Sequence, residues 1–130
     1  MNSTVPQINL IMAWLWVVAG FASGLYLGLN FQAPDWLGGY ASFKRRLYRL
    51  AHISFFGLAF VNLMFFLTAR DWPISPAVQW ASMSFLIGAV TMPLCCVLVA
   101  HREKLRMLFA VPVLSLLFGG VLTLLKVIRL

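Results

Sequence analysis

Two histidines are the residues of this sequence with the most versatile chemistry. His52 and His101 are its only imidazoles, and each lies near one end of a long apolar run. If the runs alternate in direction, both rings lie at the same side of a membrane, where neutral imidazole could ligate haem iron. One hypothesis is therefore a b-type cytochrome with one haem b held by His52 and His101. The alternative is a pair of interfacial rings that hydrogen-bond to headgroups or backbone. The small number of histidines favours this alternative.

The carboxylates lie where they are least useful for chemistry inside a membrane. Asp35, Asp71 and Glu103 are the only acids, and all three fall between the apolar runs. Ion-coupled carriers usually bury a carboxylate at membrane depth, and hydrolases commonly pair two. The sequence also contains no HExxH, P-loop or GxSxG motif. These observations argue against proton pumping and against an enzyme acting by itself.

The elements that carry these residues are predicted from composition and run length. Apolar residues make up 62% of the 130 residues and charged residues 10%, which is too little polar surface for a globule in water. About twenty apolar residues in a helix cross a bilayer. We expect an all-α integral membrane protein, one domain over 1–130, with short connections that make successive helices antiparallel. The four predicted transmembrane helices are 8–30, 50–69, 77–100 and 108–127.

A basic segment precedes the second predicted helix. Between Trp36 and Leu50, apolar residues recur every three or four positions, and the cations fall mostly elsewhere around the helix. This pattern is typical of an interfacial helix, or of an extension of the second span beyond the membrane. We predict contact with lipid headgroups, although the charges could serve only as topology signals. The cations concerned are Lys44, Arg45, Arg46 and Arg49.

The distribution of Lys and Arg predicts the orientation. The first and third loops carry four and three of them, whereas the second loop and the C-terminus together carry three. Because cytoplasmic loops are enriched in Lys and Arg, both termini are expected outside, and a bacterial inner membrane is the expected location. Charge at the ends of apolar runs also argues against nucleic-acid binding, for which no recognition module is visible.

Small residues predict where the helices pack. Gly20, Gly24 and Gly28 recur every four residues along the first span, and Ser115 and Gly119 do so in the fourth. Small side chains let helix backbones approach inside a membrane, where hydrophobicity does not drive association. We therefore expect close helix contacts along both faces, within one chain or with a partner.

Two residues inside the spans have predictable structural consequences. Pro93 lies within the third span and cannot donate to the carbonyl of Ala89, so that carbonyl is freed and the helix should kink. Asn62 is the lone amide of the second span, and we expect it to make an interhelical hydrogen bond.

The predicted function follows from short loops, spans without carboxylates and close-packing faces. We expect a non-catalytic small integral membrane subunit or accessory protein of a larger complex, with a respiratory or other energy-converting complex as its setting. Size and type alone suggest that setting, which makes it an analogy. Two alternatives stay open: the small b-type cytochrome, and an oligomeric small transporter or channel. The expected partners are the lipid bilayer and either other membrane subunits or further copies of the chain.

Overall fold

The computed structural model describes residues 4–130, so residues 1–3 of the predicted domain lie outside the described part. Within 4–130 the regular structure is entirely helical. Four long helices are joined by short connections, two of which contain a 3-10 segment. The long helices are α1 (Thr4–Asn30), α2 (Phe43–Ala69), α3 (Pro76–His101) and α4 (Ala110–Ile128), and the 3-10 segments are Trp36–Gly38 and Glu103–Phe109.

Each long helix, with the 3-10 segment before α4 included, is long and apolar enough to cross a membrane. These stretches are 26 or 27 residues long, with mean hydropathy between 1.9 and 2.4. At 1.5 Å per residue they extend to about 40 Å, which exceeds the hydrocarbon thickness of a typical bilayer. The prediction of an all-helical chain with four spans of membrane-crossing length is therefore confirmed.

The beginning of α2 moves the predicted boundary from Leu50 to Phe43. Of the two alternatives for the basic segment, the structure agrees with an extension of the second helix, since the cations form its first two turns and not a separate interfacial helix. Ser42 caps this end, because its side chain accepts a hydrogen bond from the backbone N–H of Arg45 at 3.1 Å. A capped N-terminus supports helix formation even where the first turns are strongly charged.

The third helix lies at the centre of the packing. Half of its most apolar stretch is buried, against a third for α2 and 11% for both α1 and α4. It packs against α2 and α4 and, over a smaller area, against α1. The buried clusters lie near both ends of α3, one around Val78 and Phe85 and the other around Val99.

Candidate functional site

His52 is held between α1 and α2. Its Nδ1 lies 2.8 Å from the hydroxyl of Ser23, which is also 2.9 Å from the carbonyl of Gly20. A hydroxyl has one proton, and the carbonyl can only accept it. Because Ser23 donates to Gly20, it accepts from Nδ1–H of His52. Gly24 makes room for this ring, because a methyl group there would lie 2.9 Å from its Cε1.

His101 has a different partner. It is exposed at the end of α3, and its Nε2 lies 2.8 Å from the hydroxyl of Tyr48. Tyr48 precedes His52 by one helical turn, so His101 contacts the turn of α2 before the one that carries His52. Shared haem ligation by His52 and His101 stays a prediction, and each ring has one nitrogen outside these hydrogen bonds.

Arg45 departs from the headgroup role predicted for it. Its side chain is 3% exposed and donates to the carbonyls of Phe31 and Ala33, at 2.9 and 3.1 Å. The guanidinium carbon also lies 4.1 Å from the ring centre of Tyr40 and 5.3 Å from that of Trp36. Both carbonyls follow the end of α1, so Arg45 joins that end to the beginning of α2. A signal was present in the sequence, since Arg is the cation that stacks best on aromatic rings.

The other three predicted headgroup cations point outward. Lys44, Arg46 and Arg49 are exposed on the first turns of α2. They therefore remain available to headgroups, and the prediction stands for them untested.

A row of rings crosses this end of the molecule. Tyr26 of α1 contacts Trp36, Trp36 contacts Tyr48, and Tyr48 contacts His101, with ring centres 5.6, 6.2 and 5.9 Å apart. All three contacts have steep interplanar angles, which is the favoured edge-to-face geometry. The row links α1, α2 and α3 beside the basic residues.

Near the opposite end, three polar side chains form a buried cluster that joins α1, α2 and α3. The amide of Asn9 donates to Asn62 at 2.7 Å and to the backbone carbonyl of Ser82 at 3.4 Å, and the hydroxyl of Ser82 donates back to Asn9. Asn62 completes its bonding by donating to the carbonyl of Leu58 at 2.9 Å. All three side chains are at most 2% exposed. Asn62 thus makes the expected interhelical bond, whereas Asn9 was missed because it lies one residue inside the predicted span.

Trp16 binds the carbonyl that Pro93 frees. Its indole N–H donates to the backbone oxygen of Ala89 at 2.8 Å. A similar arrangement occurs at Pro112, since the thiol of Cys95 lies 3.5 Å from the carbonyl of Leu108, four residues before that proline. Both contacts supply a donor from a neighbouring helix where the proline ring cannot. The sequence identified the free carbonyl at Ala89 but not the residue that binds it.

The predicted packing residues of α4 lie against α3. Ser115 donates to the backbone carbonyl of Ser84 at 2.7 Å. A methyl group at Gly119 would lie 3.1 Å from Cβ of Ser84 and 3.2 Å from the carbonyl oxygen of Ala81. Leu116 fills the space above Gly88 of α3. Small residues on both helices therefore bring their backbones together here.

The glycine ladder of α1 works differently. A methyl group at Gly20 would meet the ring of Phe56 at 2.6 Å, and one at Gly24 would meet His52. Aromatic side chains of α2 therefore occupy these positions, and not an approaching backbone. At Gly28 nothing lies within 4 Å, so no contact forms there within the chain, and contact with a partner at this position stays a prediction.

An open groove lies between α2 and α4 on the surface of the molecule. It has a volume of about 500 Å³ and is almost entirely apolar. A methyl group at Gly120 would meet nothing within 4 Å, in contrast to its neighbour Gly119. We call this feature the α2–α4 groove; its walls include Val61, Phe65 and Thr68 of α2 and Gly120, Thr123 and Leu124 of α4.

No known protein family, curated protein or solved structure matches the chain. Within residues 4–130, His, Cys, Asp and Glu form no group of three that could hold a metal ion.

Proposed function

We propose that the chain is a four-span integral membrane protein that serves as an accessory subunit, and that it docks a transmembrane helix of a different membrane protein in the α2–α4 groove. The order in which residues of α1 meet residues of α2 supports an antiparallel arrangement. Successively later positions of α1 meet successively earlier positions of α2, since Asn9 contacts Asn62 and Gly24 contacts His52. The seven-to-three distribution of Lys and Arg favours both termini outside, in a bacterial inner membrane.

The observation that carries the docking proposal is the contrast between two adjacent glycines. Gly119 and Ser115 form a small-residue surface that receives α3. Gly120 and Thr123 form a second such surface, one face further around α4, and it lines an open groove. Small residues allow a second helix to approach closely, and close packing is what drives helix association in lipid. The same chemistry that seats α4 on α3 is thus available to one more helix.

Charge favours a foreign helix over a second copy of the chain. Lys126 lines a small cavity together with Phe65 and Thr123, which are also walls of the groove. Arg70, which directly follows α2 on the same side of the molecule, pairs with Asp71, so Lys126 is a cation there without a salt-bridge partner within residues 4–130. A second copy packed symmetrically would bring like charges together, which opposes association. A partner helix with a carboxylate at this level would be attracted instead.

Photo-crosslinking in native membranes tests this proposal. A photoreactive amino acid at Leu124, which lines the groove, should give one discrete adduct with another integral membrane protein. Leu114 is the matched control, because it is 62% exposed but lines neither the groove nor α3, and it should give no such adduct. Lys126→Glu should lower the yield at Leu124 by reversing the charge. An adduct of twice the chain's own mass, or adducts with lipid alone, would contradict docking of a foreign helix.

The respiratory or energy-converting setting is a further proposal, for which the identity of the crosslinked partner is the test. A partner that belongs to an electron-transfer or ion-translocating complex would support it. A partner from a transport or secretion complex would contradict it while leaving the docking proposal intact.

A further inference from the structure

The two basic loops meet at one end of the helices. The hydrogen bond between Tyr48 and His101 joins the second turn of α2 to the last turn of α3. Beneath it, Leu47, Val99 and Ala100 form a buried cluster against which Leu105 of the third loop packs. The loops are therefore held side by side by a shared apolar cluster, although 53 residues separate Tyr48 from His101 in the chain.

The same end of the helices carries one exposed arginine on each of the two hydrogen-bonded segments. Arg49 directly follows Tyr48 and Arg102 directly follows His101, and both are exposed. Within residues 4–130 the salt bridge is between Arg70 and Asp71, at the other end of the helices, so neither arginine forms a salt bridge with a carboxylate. An anion that both side chains reach would be attracted by two cations at once.

We propose that Arg49 and Arg102 together bind the phosphate of an anionic phospholipid; the inference rests on the proposed membrane location. A guanidinium presents paired N–H donors that match phosphate oxygens. Arg46, on the same side of α2 as Arg49, and Lys104, in the third loop, add attraction for the headgroup from both loops. Arg45 does not contribute directly, because its guanidinium is engaged with backbone carbonyls.

The surroundings favour a lipid over free phosphate as the source of this anion. Met107 is 77% exposed and Phe43 is 39% exposed beside the basic residues. Trp36 and Tyr48 lie in the row of rings at the same level, and such aromatic residues are enriched where membrane meets water. A phospholipid could place its acyl chains along these apolar side chains and its phosphate between the arginines. Inorganic phosphate would use the arginines alone.

Native mass spectrometry of the full chain tests the site. The purified protein is titrated with phosphatidylglycerol and with phosphatidylcholine of the same acyl chains, and inorganic phosphate is added as a competitor in a separate arm. The wild type should retain phosphatidylglycerol preferentially. Arg49→Gln and Arg102→Gln should each weaken that binding about fivefold, which corresponds to one cation near a headgroup. Lys126→Gln and Arg129→Gln each remove one positive charge at the other end of the helices, near the start of α3. These two substitutions should leave the binding of phosphatidylglycerol unchanged.

Several outcomes would overturn the inference. These are equal binding of the two lipids, equal loss in the Lys126→Gln and Arg129→Gln controls, and displacement by inorganic phosphate at the lipid's own concentration. Arg49→Lys separates folding from binding, because it keeps the charge and should keep most of the affinity. Failure of the protein to insert into bilayers would instead contradict the proposed membrane location. Normal insertion without a lipid preference would contradict this inference alone.

Discussion

The first three helices and the fourth are held in place by different means. Polar side chains cross between α1, α2 and α3 at four levels: the cluster of Asn9, Asn62 and Ser82, the bond from Trp16 to Ala89, the bond between Ser23 and His52, and the bond between Tyr48 and His101. The contact of α4 with α3 rests mainly on small residues and one hydroxyl bond. Both modes of packing suit the proposed membrane location, because hydrogen bonds and close approach replace hydrophobic attraction between helices in lipid.

This difference separates a closed region from an open one. Within residues 4–130, every buried side-chain nitrogen and oxygen has a hydrogen-bond partner. The buried polar side chains of α1, α2 and α3 thus bond to one another or to backbone carbonyls inside the helix assembly. The fourth helix is anchored along one face, and a second small-residue face borders the α2–α4 groove. We therefore expect substitutions in the first region to change stability, and those at the groove to change association.

The largest expected effect is at Asn9. Asn9→Leu removes a side chain that takes part in three hydrogen bonds. It leaves the amide oxygen of Asn62 without its donor and the hydroxyl of Ser82 with only the carbonyl of Val5, at 3.4 Å. We expect a loss of about 3 kcal/mol in the free energy of unfolding, measured by steric trapping or by SDS titration in mixed micelles. The control is Gln7→Leu, which removes an exposed amide from the same helix and should change the free energy of unfolding little. Equal effects of the two substitutions would show that the cluster does not hold α1.

The adjacent glycines of α4 should respond in opposite ways. Gly119→Ile forces a branched side chain against Ser84 and the Ala81 carbonyl and should cost about 2 kcal/mol through overpacking. Gly120→Ile meets open space and should leave stability unchanged but abolish the crosslink from Leu124. If Gly120→Ile destabilised the isolated chain as much as Gly119→Ile, the distinction between an anchored and an open face would fail.

A smaller effect is expected where Trp16 binds the freed carbonyl. Trp16→Phe keeps the aromatic volume but removes the donor to Ala89, and should cost about 1 kcal/mol. In a Pro93→Ala background the residue at 93 can again donate to Ala89, so the same substitution should then cost less. A double-mutant cycle measures this coupling. Trp14→Phe, at a position 65% exposed, is the control, and additive effects of Trp16→Phe and Pro93→Ala would contradict the role assigned to Trp16.

The smallest effect concerns the glycines of α1. Gly28→Ala adds a methyl group in open space and should stabilise the helix by up to about 1 kcal/mol, because alanine has the higher helix propensity. Gly24→Ala should give no net gain, since the methyl group would lie 2.9 Å from Cε1 of His52 and displace the ring. Stability measurements on both variants, with ¹⁵N NMR of the imidazole, distinguish the two positions. A gain at Gly24 equal to that at Gly28 would mean that His52 is not packed there.

Much of the fold could be predicted because its causes are local. Run length and hydropathy predicted four helices of membrane-crossing length, since a helix rises by a constant amount per residue. The free carbonyl at Ala89 followed from the missing N–H of Pro93 four residues later. An amide inside an apolar span needs a partner, which is why Asn62 could be assigned an interhelical bond.

The tertiary structure alone decided which neighbour each side chain meets. In a soluble protein, polarity separates the buried face of a helix from the exposed one. In these helices both faces are apolar, so periodicity does not distinguish the face that packs against α3 from the face that is exposed. For the same reason, nothing local distinguished Gly119, against α3, from Gly120, at the groove. Arg45 and Arg46 are adjacent cations with similar local sequence, yet one is buried on backbone carbonyls and the other is exposed. That outcome depends on where the chain leaving α1 returns, which is a property of the assembled helices and of no single segment.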